Sequence, residues 1–143
     1  MSFREVRLQI LEEHRALREM LGVVEGLCAR LEGGDPEAAS LLRDCGRTLY
    51  HRFAAHLVLE DHVLLPAVRD IAGEESAEQL VAEHREQREL LGYLLGRLAH
   101  PGRPALLLAR ELQQFAALLE EDMRHEEETL LRSNGPAVAR SAS

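Results

Sequence analysis

Apolar residues recur at steps of three and four along four stretches of this chain, and each stretch is closed by glycine or proline. That spacing places each set on one face of an α-helix, and a helix with one greasy face needs a partner to cover it. The first stretch runs through Phe3, Val6, Ile10, His14, Leu17, Leu21, Val24, Cys28 and Leu31, opened by a capping-box sequence, Ser2-Phe3-Arg4-Glu5, and ended by Gly33-Gly34. The second is expected to start with Asp35 as cap and Pro36 in its first turn. It carries Leu42, Cys45, Leu49, Phe53, His56, Glu60, Val63 and Ala67 inward, is kinked or thinned by Pro66, and closes at Gly73.

A second capping box, Ser76-Ala77-Glu78-Gln79, predicts the start of the third helix, which presents Ala77, Leu80, His84, Gln87, Leu91, Leu94 and Leu98. After His100-Pro101-Gly102-Arg103-Pro104, the fourth shows Leu108, Leu112, Phe115, Leu118 or Leu119, Asp122, His125 or Glu126, and Leu130, until Ser133-Asn134-Gly135-Pro136 stops it. Four helices joined by short loops predict an all-α, up-down-up-down antiparallel four-helix bundle over residues 1–132, with 133–143 as a flexible tail.

Composition agrees. Leu, Ala, Glu and Arg dominate, Val and Ile are few, and aromatics make up 3%, which leaves little from which to build sheets. The net charge of -8 argues against a nucleic-acid partner. No stretch approaches the ~18 apolar residues that a membrane span needs. Met-Ser-Phe-Arg-Glu runs straight into amphipathic sequence without the apolar core of a signal peptide, so the expectation is a cytoplasmic protein with no membrane partner. A homo-oligomer is compatible with such a bundle. Cys28 and Cys45 read as small buried hydrophobes, with a redox pair across neighbouring helices as the sharper alternative.

Each apolar face also carries metal-capable groups: His14; His56 with Glu60; His84; and Asp122 with His125 and Glu126. His56 and Glu60 stand one helical turn apart and form a ready two-ligand clip. Connectivity tests whether the sets meet. Measured from the end of the bundle where the first helix starts, a rise of ~1.5 Å per residue puts His14 at ~16 Å, Glu60 at ~16 Å, His56 at ~22 Å, His84 at ~12 Å, Asp122 at ~15 Å, and His125 and Glu126 at ~10 Å. These heights are compatible with one polar layer inside an otherwise apolar bundle.

Burying so many polar groups together is costly unless a cation pairs with them. Asp122, His125 and Glu126 are alternatives, and all three could contribute. His51, His100 and most of the remaining glutamates, Glu13 and Glu127 among them, read as solvated. Asp61 and His62 read as support for the site or as surface, and Tyr50 as packing with a hydroxyl able to orient a ligand. Mixed imidazole and carboxylate donors suit iron, manganese or zinc, and six or seven of them exceed what one zinc ion needs. Two metal ions sharing carboxylates is the better reading.

His14, then His56-Leu-Val-Leu-Glu60-Asp-His-Val-Leu-Leu-Pro66, then Glu83-His84, then Glu126-Glu127 with Leu130-Leu131 resembles the pattern of the hemerythrin-like (HHE cation-binding) family, from the first helix through Leu131. Two positions depart from it. Asp122 stands where the family's fourth-helix histidine is expected, and the third helix has one histidine, with Leu80 and Arg88 where oxygen-carrying members place a second.

The resemblance implies a non-haem site with two iron ions, zinc or manganese being lesser occupants. The carboxylate-rich set weighs against reversible oxygen carriage and toward sensing or redox chemistry. The functional expectation is a non-enzymatic protein that binds or senses a diatomic ligand, oxygen or nitric oxide, or buffers iron. A di-iron redox enzyme acting on peroxide or nitric oxide is the first alternative, and a metal-free interaction bundle the second.

Overall fold

Each apolar face finds its cover in a neighbouring helix. The computed structural model describes residues 1–136 and contains four helices: α1 (Phe3–Glu32), α2 (Ala38–Ala72), α3 (Glu74–Ala99) and α4 (Ala105–Thr129). α1 packs against α2 and α4, α3 packs against α2 and α4, and α1 and α3 lie diagonally opposite. The run alternates in direction. Arg7 near the start of α1 donates to the Leu131 carbonyl beyond the end of α4 at 2.7 Å, whereas the Cys28 thiol near the end of α1 faces the Ala109 carbonyl at the start of α4. The expected up-down-up-down bundle is therefore observed. Of the expected tail at 133–143, residues 137–143 lie outside the described residues.

Local chemistry sets the helix ends. Ser2 caps α1 by accepting from the Glu5 amide at 3.2 Å. Two expected starts are displaced. Asp35 and Pro36 sit in a turn, where the Asp35 carboxylate accepts from the Glu37 amide, and α2 begins at Ala38. The Ser76 capping box is not used: α3 begins at Glu74 directly after Gly73, and Ser76 is buried within it. Gly73 reverses the chain alone, because its φ of 93° is a left-handed conformation that costs glycine nothing. Pro66 does not end α2, which continues to Ala72.

Burial follows the expected faces closely on α1 and α3. On α2 the inward face turns by one residue beyond Glu60, so Leu64 and Val68 are buried in place of Val63 and Ala67. These two join Val6, Ile10, Ala72, Leu80 and Leu131 in a small apolar cluster at one end of the bundle. A larger cluster, from Leu17 to Cys28 on α1 and including Leu49, Phe53, Leu91, Phe115 and Leu119, fills the rest of the bundle. Gly46 lets α2 approach closely there, since a Cβ at that position would stand 2.8 Å from a Leu98 methyl. Among the described residues His14, His56, Glu60, His84 and Glu126 are the buried histidines and carboxylates, and they fall between the two clusters.

Candidate metal centre

Every helix contributes to this layer. His14, His56, Glu60 and Glu126 each offer a donor atom, and the four atoms lie within 4.8 Å of one another. His14 Nε2 is 3.1 Å from Glu126 Oε1, and His56 Nε2 is 3.0 Å from Glu60 Oε1. His84 approaches the same Glu60 oxygen from α3, with its Nε2 at 3.5 Å. Proximity does not make these pairs hydrogen bonds. His14 Nε2, His84 Nε2, Glu60 Oε2 and Glu126 Oε1 are buried without a hydrogen-bond partner. Leaving such atoms unpaired costs roughly 1–3 kcal/mol each. Donors that crowd together without satisfying one another fit a cation between them, and the set of imidazoles and carboxylates is chemically suited to one.

Outer partners aim the imidazoles. His14 Nδ1 lies 2.8 Å from Glu127 and His84 Nδ1 lies 2.6 Å from Asp61. A carboxylate only accepts, so each Nδ1 donates to its partner, which leaves each Nε2 as the atom that would turn a lone pair toward a bound cation, the arrangement metal-binding histidines use. Each carboxylate is held in turn by an arginine: Arg18 clasps Glu127 at 2.7 and 2.9 Å, and Arg88 pairs with Asp61. His56 Nδ1 faces Glu13 at 3.9 Å, and Arg52 lies 3.9 Å from that same carboxylate.

The layer perturbs its own ionisation. Burial, reinforced by the charge of Glu60 and opposed by His14, pushes the Glu126 carboxyl up to about 8. Burial pulls His14 down, but Glu126 and Glu127 outweigh it and the net shift is upward. His84 is raised in the same way, with Glu60 and Asp61 outweighing burial. For His56, burial and the neighbouring imidazoles His14 and His84 bring the value down to about 4. Glu127 and Asp61 are both lowered, their arginine and histidine partners outweighing burial.

Of the seven residues singled out in the sequence, the structure brings together His14, His56, Glu60, His84 and Glu126. It does not bring in Asp122 or His125. Met123 takes the inward position between Leu119 and Glu126, so Asp122 lies a residue to one side, half-buried, accepting from Gln87 Nε2 at 3.1 Å. His125 turns outward, its side chain 58% exposed and facing Glu83. Glu127, read as solvated, instead hydrogen-bonds His14, and Glu13 faces His56 Nδ1 at 3.9 Å, too far to hydrogen-bond it. Their spacing held a signal, since Glu13 precedes His14 and Glu127 follows Glu126, but their partners lie on other helices. Tyr50 packs against the main core rather than the layer, and both cysteines are free.

The fold and the site together define a helical bundle with a buried layer of histidines and carboxylates that could hold a cation. The family model of the hemerythrin HHE cation binding domain matches residues 8–132, and the chain belongs to that family. No curated protein and no solved structure gave a match. No helix of the described residues is long and apolar enough to cross a membrane.

Proposed function

We propose that this protein holds two non-haem iron ions in the buried layer and binds or senses a small diatomic ligand there, oxygen or nitric oxide, or buffers iron. The observation that carries the reading is the set of inward-facing nitrogen and oxygen atoms left without hydrogen bonds between two apolar clusters. His14, His56, Glu60 and Glu126 would hold one ion. His84 would serve the other, with Glu60 shared, because one Glu60 oxygen is the near neighbour of both His56 and His84. Iron held there would supply redox chemistry and an open coordination position for the diatomic ligand.

The chain's own residues do the rest. Glu127 and Asp61 keep the protons of His14 and His84 on the outward nitrogens, and Arg18 and Arg88 keep those carboxylates ionised and in place. Leu64 and Ile10 on one side, and Leu17, Phe53 and Leu119 on the other, exclude water along the bundle axis. A metal-free bundle would satisfy its buried polar atoms among themselves, and the unpaired Nε2 atoms weigh against that alternative. Two free cysteines fit a reducing, cytoplasmic compartment.

Anaerobic iron loading followed by a metal count and a near-ultraviolet spectrum, with and without azide, tests the proposal. Two irons per chain and an azide-sensitive charge-transfer band are expected. Fewer than one iron per chain, or a spectrum indifferent to azide, refutes it.

A further inference from the structure

At the height of the polar layer, three of the four helix–helix seams are closed by an arginine paired with a carboxylate across the seam. Arg18 on α1 reaches Glu120 and Glu127 on α4, Arg52 on α2 lies by Glu13 on α1, and Arg88 on α3 holds Asp61 on α2. The fourth seam differs. Among the described residues no arginine joins α3 to α4, and what stands there is a cleft of about 130 Å³ whose polar lining is Glu83, Glu86, Gln87 and Asp122. Among the described residues no guanidinium crosses the seam to its carboxylates; what faces them is the exposed imidazole of His125, 3.8 Å from Glu83.

Gln87 adds a second and independent sign. It is only 8% exposed, its amide nitrogen donates to Asp122, and its Oε1 is buried with no partner. A carbonyl oxygen left unpaired among carboxylates is the donor that a hard cation accepts. The position is also apt, since Gln87 lies one turn beyond His84 on α3, and Asp122 lies one turn before Glu126 on α4. Both neighbours belong to the buried layer.

We propose that this cleft is where an incoming divalent cation first binds on its way to the buried layer, with the Gln87–Asp122 hydrogen bond spanning the gap it must pass. The proposal rests on the reading that the layer holds metal. The apolar clusters close both axial approaches and arginine pairs stand across the other three seams, so among the described residues this is the seam where carboxylates and an unpaired oxygen lie together without an arginine across it. A cleft whose carboxylates outnumber its cationic groups raises the local cation concentration and the association rate, an effect that salt removes.

Cobalt(II) alone is the probe, added to the metal-free full chain while its visible absorption is followed by stopped flow. The variant is Glu83→Gln with Glu86→Gln. Glu25→Gln with Glu32→Gln, at the far end of α1, is the control for net charge. The cleft variant should load roughly tenfold more slowly at low ionic strength, reach the same final cobalt content, and match wild type in about 1 M salt. The control should load like wild type.

Equal rates for wild type and the cleft variant overturn the route while leaving the metal reading intact, as does a rate that does not depend on cobalt concentration. A lower final content in the cleft variant makes the cleft part of the binding layer and overturns its role as an approach. No uptake by wild type at equilibrium removes the metal reading and the route together.

Discussion

Replacing Glu126 with glutamine should make the metal-free protein more stable and the metal-treated protein less so. Glu126 is almost fully buried, and its carboxyl is raised to about 8 from an ordinary 4.5. A carboxyl whose folded value is raised stays protonated in the native state while the unfolded chain releases its proton, so stability falls as pH climbs from 4.5 to 8. At 1.36 kcal/mol per unit the loss reaches roughly 3 kcal/mol at pH 7 and roughly 5 above pH 8. Glutamine keeps the shape and cannot ionise.

Metal-free Glu126→Gln should therefore melt roughly 10 °C above metal-free wild type at pH 7, with the gap closing to almost nothing at pH 4.5. His56 acts oppositely below pH 6.5, because its folded value of about 4 means stability is gained as pH rises from 4 to 6.5. The decline of the wild type is thus clearest between pH 6.5 and 8, where the raised His14 and His84 lose stability in the same direction as Glu126. Iron(II) should raise the melting temperature of wild type by mass action and barely move that of Glu126→Gln. Calorimetry of both proteins, with and without metal, reads all of this. A metal-free variant that melts at or below wild type at pH 7 would refute the buried-carboxyl argument.

Two further perturbations separate the layer from its surroundings. Asp61→Asn and Glu127→Gln, which loosen the hold on His84 and His14, should each weaken metal affinity roughly ten- to a hundredfold by equilibrium titration, whereas His125→Ala should leave it unchanged. Unaltered affinity in the first two would mean packing alone orients the imidazoles. Gly46→Val should cost roughly 1–3 kcal/mol in denaturant unfolding with full metal content retained, because the new methyls meet Leu98 and Leu112; an unchanged midpoint would show that those leucines yield freely.

Much of this protein is legible along single helices. Periodicity alone places His14, His56, Glu60 and His84 on inward faces, since a helix turns 100° per residue and apolar neighbours three and four positions away define the buried side. The four breaks, with the ~1.5 Å rise, set those residues at compatible heights before any contact is known. The fold follows from the same information.

Only tertiary structure decides what one residue of rotation means. Asp122 and Met123 both fit the fourth helix's pattern, and packing against the larger cluster selects Met123 while leaving Asp122 to Gln87. Glu126 turns in and Glu127 turns toward α1 because α4 neighbours α1, an adjacency no spacing along α4 reveals. The carboxylates behind His14 and His84 lie 113 and 23 residues away in the chain, so no local pattern links them. The same holds for the open α3/α4 seam. A cleft is defined by which arginines reach across from one helix to another, and that is set by the order of helices around the bundle.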